Sequence, residues 1–552
     1  MQFNEFTQVC KILEDKSGRI EMTDIIAGFL SPIPEETVPV VCSFLRGEVF
    51  PIWTGVELGI AGKLMIKSLS TVSGIKDEDI ENLIKETGDA GIVAEQILVK
   101  KAQTTLFQES LTIERVYDNL VKAAALEGKG AQDKKISYVN ELLSNATPAE
   151  SRYLVRLILG ELRLGVGDGI LRDAIAKAYG VDAALVERAY NLRSDLGEVA
   201  LAAKTGGNLK LGAISLTTMR PIKVMLAQKA ESIADILSEL GTAAFEVKYD
   251  GARVQVHKND GTVELYTRRL ENVTKQFPEL VKSSIENINA KQAILEGEIV
   301  AIKNADDRRP RPFQDLSRRI KRKYDISEMV RKIPVEVNLF DILYLNGEAT
   351  TETPFSQRRK MLEEVVSSTE FFRLSEQLVT KDEDAADDFY EHALSMGHEG
   401  VMIKKLEAPY QPGSRVGYMY KLKPVMESLD LIVTGATWGE GRRAHWLASF
   451  LLSVYDPTRD EFLEVGHLGT GLTDEQFKEM TELLKPLVLE EKGQAVKIKP
   501  KVVVEVAYEE IQHSPTYTSG YALRFPRLVR IRNDKGPMDT DTMERIEELM
   551  RK

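Results

Sequence analysis

A multidomain chain is predicted, with an all-α N-terminal region, a mixed α/β middle region and a small C-terminal β-barrel of the OB type. Three observations carry this. The 552 residues are too many for a single hydrophobic core. Apolar residues recur at three- and four-residue spacing through residues 1–215, then give way near Arg220-Pro221 to alternating strands and helices. After Pro424, short strands broken by glycine turns accompany one helix, which fits a five-stranded Greek-key barrel. The domain boundaries are drawn at 1–215, 216–424 and 425–552.

In the first region Phe3, Phe6, Val9, Ile12 and Leu13 form one face of an amphipathic helix, unlike the unbroken apolar core of a signal peptide. Ser151–Gly160 and Asp173–Tyr179 continue the helical pattern. Between them runs Gly160–Gly169, GELRLGVGDG, a glycine-rich turn carrying Arg163. No Gly-Lys-Ser/Thr follows, so it is not a P-loop. Such a turn either makes a tight connection or presents backbone N–H groups to phosphate. Upstream, Gln103 is followed three and four residues later by Leu106 and Phe107.

In the middle region strands are predicted at 244–249, 252–258, 262–268, 293–301, 335–345, 399–405 and 417–423, and helices at 229–240, 355–365 and 383–396. Its centre is Phe245–Lys258, FEVKYDGARVQVHK. Phe245, Val247 and Tyr249 alternate as a strand, Asp250-Gly251 is a turn, and Val254 and Val256 resume the alternation. Side chains two apart share a face, so Glu246 and Lys248 point together, away from the apolar set. A lysine fixed beside a sharp turn, with Arg253 just beyond, is a candidate nucleophile. Its amine must lose a proton to attack, and nearby cations or desolvation ease that loss. The plain alternative is a hairpin with an exposed lysine.

Its neighbours weigh against that alternative. Leu295-Glu296-Gly297-Glu298 puts two carboxylates on one strand face, suited to a hard divalent cation that also holds phosphate. Glu399 starts another strand and Lys404 lies further along it. Lys421 and Lys423 share a face, with Leu422 opposite, and Arg253, Arg268, Arg269 and Arg415 add cations. Singly, each is a surface ion-pair partner. Together they suit attack on a phosphorus whose charge must be neutralised. Glu246 can accept from the amino group of a base, and Phe340, in VNLFDILYLNG, can stack on its ring or simply pack in the core. Of six histidines only His392 and His398 are close in sequence, and no carboxylate pairing makes them a metal site.

In the last region strands are predicted at 430–437, 447–455, 461–467, 502–512 and 526–532, with a helix at 473–487 and a closing helix over Thr540–Lys552. A 43% hydrophobic and 29% charged composition is that of an ordinary globular protein. Cys10 and Cys42 supply neither a disulfide framework nor a zinc ribbon, which points to a reducing, intracellular setting. No apolar run is long enough to span a bilayer. The net charge of −12 argues against a nucleic-acid partner until its distribution is considered. Arg308–Lys323 holds eight Lys/Arg against one acid, Asp315. Without context, that run is as well read as a solvated helix face.

The series KYDGAR, TRRLENVT, LEGEIVA, VNLFDILYLNG, EGVMIKK, YKLKP and RFPRLVRIRNDK, in this order and spacing, resembles the nucleotidyltransferase motif ladder of ATP-dependent DNA ligases, the archaeal and eukaryotic replicative type above all. The resemblance spans essentially the whole chain. It implies a helical DNA-binding domain, an adenylation domain and an OB-fold domain. It further implies that Lys248 takes AMP as a phosphoramidate, that Glu246 reads the adenine amino group, and that Phe340 stacks on the base. Arg253, Arg268, Lys421 and Lys423 match phosphate-neutralising positions, and Arg415 another nucleotide contact. Glu298 matches a ribose- or metal-side acid and Glu399 a metal ligand. Arg524, Arg527, Arg532, Asp534 and Lys535 fall on the OB-domain motif that acts in lysine adenylation by orienting pyrophosphate. Arg163 matches the duplex-backbone loop, and Arg318 and Arg319 a segment that meets DNA. Gln103, Leu106 and Phe107 sit where archaeal members carry a sliding-clamp-binding peptide, with an incomplete aromatic pair.

The implied function is the sealing of nicks in duplex DNA, in replication, repair and recombination. The cosubstrate is ATP and the metal magnesium, with manganese as a substitute. The implied partners are nicked DNA and a sliding clamp, with no membrane. The enzyme is expected to be a cytoplasmic, nucleoid-associated monomer. Two cysteines cannot supply the zinc module of an NAD-type ligase. An RNA ligase or a GTP-using capping enzyme shares the lysine motif but not the long helical region. A non-catalytic nick- or clamp-binding scaffold would lack the lysine or the metal acid, and both are present.

Overall fold

The computed structural model describes residues 1–102, 109–128, 130–304, 307–322, 324–424, 426–439, 443 and 445–551. They form two compact units, Met1–Lys423 and Pro424–Lys552. Gln103–Phe107 lies outside the described residues. Among those described, no helix is long and apolar enough to cross a membrane.

The first unit opens with helices from Phe3–Glu14 to Leu196–Gly212. The stripe expected at the N-terminus holds in part: Phe3, Phe6 and Leu13 are wholly buried together with Cys10, whereas Val9 is half-buried and Ile12 is 48% exposed. Helix Pro148–Leu159 starts on a capping box in which Thr147 and Glu150 satisfy each other's backbone N–H groups. It stops at Gly160, whose φ of 71° ends the helix in the left-handed region. The turn that follows leads into helix Asp168–Tyr179. Beneath it Arg156, almost fully buried, closes on Asp89 with Nη2 2.6 Å from Oδ2, and also meets Glu14.

Two sheets follow. The first contains β1 (Leu226–Lys229), β2 (Ala243–Lys248), β9 (Gln377–Thr380), β10 (Gly400–Lys405) and β11 (Arg415–Leu422), in the order β1-β11-β10-β2-β9. The second contains β3 (Ala252–Asn259), β4 (Thr262–Thr267), β5 (Gln292–Ala301), β6 (Val335–Leu345), β7 (Glu348–Ala349) and β8 (Phe372–Leu374). Its order is β4-β3-β5-β6-β7, with β8 parallel to β6. Phe245, Val247, Val401, Ile403, Tyr420 and Leu422 make the apolar back of the first sheet. Val254, Leu295, Ile299, Val337 and Leu339 make that of the second, under helices carrying Leu280, Leu316 and Leu362. Core residues of the helical region run on into Ile294, Leu343, Tyr410 and Met419. That continuity joins both parts into one unit.

Two predicted elements are corrected. The helix expected over 229–240 is β1 followed by a helix from Ile233 only, because Ser232 caps it by accepting from Asp235 N–H. The strand expected over 502–512 is two, Val503–Ala507 and Glu510–His513. The second unit also contains β12 (Leu429–Trp438), β13 (Leu447–Asp456), β14 (Glu461–Leu468), β15 (Val488–Lys492) and β16 (Ala495–Ile498). With β17 (Val503–Ala507), β18 (Glu510–His513), β19 (Tyr521–Arg524) and β20 (Arg527–Ile531) they form the strand-rich fold expected there, built among the described residues from nine strands where five were predicted. β12 pairs with β13 along one edge, and with β17 and then β16 along the other. Helices Asp474–Leu484 and Met543–Arg551 bury Phe477, Met480, Ile546 and Leu549 in its core.

His257 on β3 is fully buried, its ring 4.9 Å from that of Tyr266. Burial pushes its pKa down from 6.5 to about 3. The folded protein therefore keeps it neutral, while the unfolded chain takes up a proton as pH falls below 6.5. Stability should fall through that window, by about 1.4 kcal/mol per pH unit at most. Urea unfolding of the wild type and His257→Gln at pH 7 and pH 4.5 checks this: the variant should lose about 2–3 kcal/mol less between the two.

Candidate active site

The site forms where the polar faces of the two sheets meet. Antiparallel pairing sets Lys248 opposite Gly400, Glu246 opposite Met402, Ala244 opposite Lys404, and Met402 opposite Lys421. Directly opposed residues point to the same side. One face of the first sheet therefore carries Lys248, Glu246, Lys404 and Lys421. The second sheet answers with Arg253 opposite Glu298, Glu298 opposite Asn338, and Glu296 opposite Asp341.

Lys248 Nζ contacts the Glu399 carboxylate, whose Oε2 also takes Lys423 Nζ at 2.6 Å. Burial opposes charge on Glu399, but Lys248 and Lys423 outweigh it and hold the carboxyl below its usual range. Glu298 has the opposite fate. Burial pushes it up to about 7, the charges of Glu399 and Asp250 add to the shift, and Lys248 and Arg253 oppose it. Two glycines permit this closeness. A Cβ on Gly251 would lie 2.3 Å from Ile299 O and 2.9 Å from Glu298 Cγ, so the turn after Lys248 can sit on β5 only without a side chain. Gly400 has φ +131°, and a Cβ there would meet Leu422 O at 2.2 Å. Gly400→Ala should cost at least about 3 kcal/mol through strain and overpacking. It should also displace Glu399 from Lys248, and a thermal melt run beside an adenylation assay checks both effects.

Glu246, 2% exposed, is held by Lys404 at 2.6 Å, by Gln377 Nε2 donating at 2.9 Å, and by Arg359 at 3.7 Å. Phe340 owes its placement to a register shift. Glu296 pairs with Asp341 but Gly297 with Leu339, which leaves Phe340 as the extra residue of a bulge. Its ring lies under Lys404 Nζ at 4.5 Å and Arg253 Cζ at 5.4 Å. Arg253 is itself fixed by Glu296 at 2.5 Å, by Met225 O at 3.0 Å and by Tyr410 Oη at 3.3 Å. Burial works against its charge, yet Glu296 and Tyr410 more than compensate and keep it firmly protonated. Gln377, Arg359 and Tyr410 escaped sequence reasoning because each lies outside the motif runs. Lys404 was visible at strand spacing from Glu399, but its pairing with Glu246 is set only by the register of β10 on β2.

Arg268 is exposed just after β4, and the pairing of Val254 with Thr267 carries it to the Arg253 end of the sheet. Arg415 is exposed at the start of β11, opposite Leu226, at the far end of that strand from Lys421 and Lys423. Among the described residues no group of three or more His, Cys, Asp or Glu converges on a cation position. Arg163, with φ 58°, reaches back to Gly88 O at 3.1 Å and Glu161 at 2.8 Å and stays exposed. In the basic run Arg318 is 76% exposed beside Asp315. Arg319 is 0% exposed, donates to Ile333 O at 2.8 Å and to Gln276 O at 3.1 Å, and pairs with Glu279. Burial lowers its pKa, and its guanidinium braces helix Phe313–Ile320 where a DNA contact was expected. Arg308 is spent on Glu336, and Arg311 pairs with Asp315 at 2.7 Å. In the second unit Arg524 pairs with Glu510 at 3.0 Å, Arg527 is exposed, Arg532 and Lys535 close on Asp430, and Asp534 accepts from Arg532.

Comparison with known proteins matches the family description "ATP dependent DNA ligase domain" over residues 224–423. "DNA ligase N terminus" matches over 2–176, and "ATP dependent DNA ligase C terminal region" over 443–535. The chain is 49% identical over 550 residues to a DNA ligase of Thermococcus fumicolans, covering 100% of this chain and 98% of that one. It is 46% identical over 550 residues to a DNA ligase of Archaeoglobus fulgidus, with the same coverage. The solved structure named Pmar-Lig_PreS3 superposes with a TM-score of 0.57 at 17% identity, covering 96% of this chain and 99% of that one. That last likeness speaks to fold alone.

Proposed function

This chain belongs to the family of ATP-dependent DNA ligases, and on that premise we propose that Lys248 is the residue that carries AMP. The enzyme uses ATP to seal nicks in duplex DNA. The observation that supports the assignment is the Lys248–Glu399 contact, set in a face that also presents Glu246, Lys421 and Lys423.

In the first step Lys248 Nζ attacks the α-phosphorus of ATP. A P–N bond forms, the bond to the bridging oxygen breaks, and pyrophosphate leaves. Attack needs the neutral amine, so as nucleotide enters the Lys248–Glu399 pair opens and the Lys248 ammonium releases a proton to solvent, while Lys423 remains to hold Glu399. AMP then passes to the 5′-phosphate of the nick, and the adjacent 3′-hydroxyl attacks that phosphorus and releases AMP. Glu246 accepts from the adenine amino group and Phe340 stacks on the base. Arg253, Arg268, Lys421 and Lys423 neutralise phosphate charge, and Arg415 adds a nucleotide contact. Arg524, Arg527, Arg532, Asp534 and Lys535 act in adenylation through pyrophosphate.

Glu298 and Glu399 would hold a magnesium ion. They fit one: burial, with Glu399 and Asp250 nearby, drives Glu298 up to about 7 in spite of Lys248 and Arg253, and magnesium characteristically takes one or two carboxylates with waters and phosphate oxygens. When bound it neutralises phosphate charge, and manganese suits the same oxygen donors. We assign duplex-backbone contact to Arg163 and Arg318, and sliding-clamp binding to Gln103, Leu106 and Phe107. The domains are 1–215, 216–424 and 425–552, the enzyme acts as a monomer, and its substrate places it at the nucleoid in the cytoplasm.

The test is labelling without DNA. Incubation with magnesium and α-labelled ATP should leave label on the denatured protein, whereas γ-labelled ATP and α-labelled GTP should not. Absence of label with pyrophosphate removed would overturn the assignment.

A further inference from the structure

The RFPRLVRIRNDK element runs from the end of β19 through β20 and the turn after it, and its last two cations converge on one carboxylate from the start of β12. Both oxygens of Asp430 accept from Arg532 Nη1 at 2.9 Å, and Oδ2 also accepts from Lys535 Nζ at 2.6 Å. Asp534 closes the other edge of the same guanidinium, accepting from Nε at 2.9 Å and from Nη2 at 2.8 Å. Glu505 lies 3.7 Å from Arg532 and accepts from Arg530 at 2.7 Å. The Arg532 fork is thus occupied on both sides, and its side chain is 14% exposed. Asp534, above all, holds it protonated.

Lys535 differs. An ammonium has three donors, and among the described residues Lys535 makes one ion pair, to Asp430, while staying 30% exposed. Asp430 cannot swing away with it. Its N–H donates to Asp541 Oδ2 at 2.7 Å, Asp541 N–H donates back to Asp430 O at 2.9 Å, and the strand pairs Asp430 with Glu505. A flexible lysine is thereby ordered before any ligand arrives, which removes part of the entropy cost of binding.

We propose that Asp430 is a positioning residue for lysine adenylation: braced by Arg532, it aims Lys535 so that its remaining ammonium protons meet the departing pyrophosphate. The inference rests on the reading that the RNDK element acts in adenylation.

The test uses the full-length chain as Asp430→Asn, Lys535→Ala and the double variant. Three quantities are measured: single-turnover adenylation from ATP, the pyrophosphate concentration that half-reverses it, and sealing of a nick that already carries an adenylated 5′-phosphate. Asp430→Asn should slow adenylation about 10- to 100-fold and raise the half-reversing pyrophosphate concentration. The loss in adenylation should exceed any loss in sealing by at least tenfold, and the double variant should be no slower than Lys535→Ala. Wild-type adenylation by Asp430→Asn beside an impaired Lys535→Ala would overturn the role of Asp430, as would effects that multiply in the double variant. Normal adenylation by Lys535→Ala would instead remove the reading of the RNDK element, and the inference with it. Should Asp430→Asn not fold, Asp430→Glu keeps the charge, moves it by one methylene and carries the same expectations.

Discussion

Lys248→Ala is expected to leave no adenylated protein and to lower overall ligation by at least about 10⁴-fold, as removal of a covalent nucleophile does. The loss should be chemical rather than structural. Lys248 sits at the end of β2 with its side chain 19% exposed, and its partner Glu399 keeps Lys423 at 2.6 Å. The melting temperature should therefore move little. The variant should still seal a nick supplied with an adenylated 5′-phosphate, because the amine has no further covalent part once AMP has left it. Intact-mass measurement after incubation with ATP checks the first expectation, and gel assay of the pre-adenylated nick checks the second. An adenylated Lys248→Ala protein would require another nucleophile.

Glu246→Ala is expected to do two separable kinds of damage. It removes the acceptor assigned to the adenine amino group, and it strands Lys404, 5% exposed and 2.6 Å from Glu246, among the rings of Phe340 and Phe355. Breaking one side of such a buried pair costs about 3–5 kcal/mol. Discrimination between ATP and GTP should collapse as well, since a site built to receive a donor no longer presents its acceptor. A second substitution distinguishes the effects. Lys404→Met in the Glu246→Ala background should recover most of the stability, because the uncompensated ammonium is gone, without restoring adenylation from ATP. Chemical unfolding combined with labelling by each nucleotide reads both. Recovery of adenylation together with stability would mean that Glu246 serves only the fold.

What could be read without coordinates was whatever depends on neighbours along the chain. Alternation around Asp250-Gly251 put Glu246 and Lys248 on one strand face, since a strand repeats every two residues. Glycine turns marked the barrel, and the order of seven charged motifs marked the family. Most predicted strands hold to within a residue or two. Helix Pro278–Asn287 and the β15–β16 hairpin went unforeseen because their surfaces are largely polar and offer little periodic apolar signal.

Tertiary structure decided how those faces meet. That Lys404 rather than solvent neutralises Glu246 follows from the register of β10 on β2, which no local pattern encodes. That Phe340 is aimed into the site follows from a one-residue bulge against β5. The basic run shows the limit most clearly. Its excess charge was legible, but Arg319 is buried on backbone carbonyls while Arg318, its neighbour, faces solvent. On a helix, adjacent residues point about 100° apart, so one turns inward and the other out. Composition by itself determined how much charge this protein carries and which motifs it holds. Only packing decided which charges are spent inside the fold and which are left to meet nucleotide and DNA, because an ionised group stays buried only where a partner from elsewhere in the chain offsets its lost hydration.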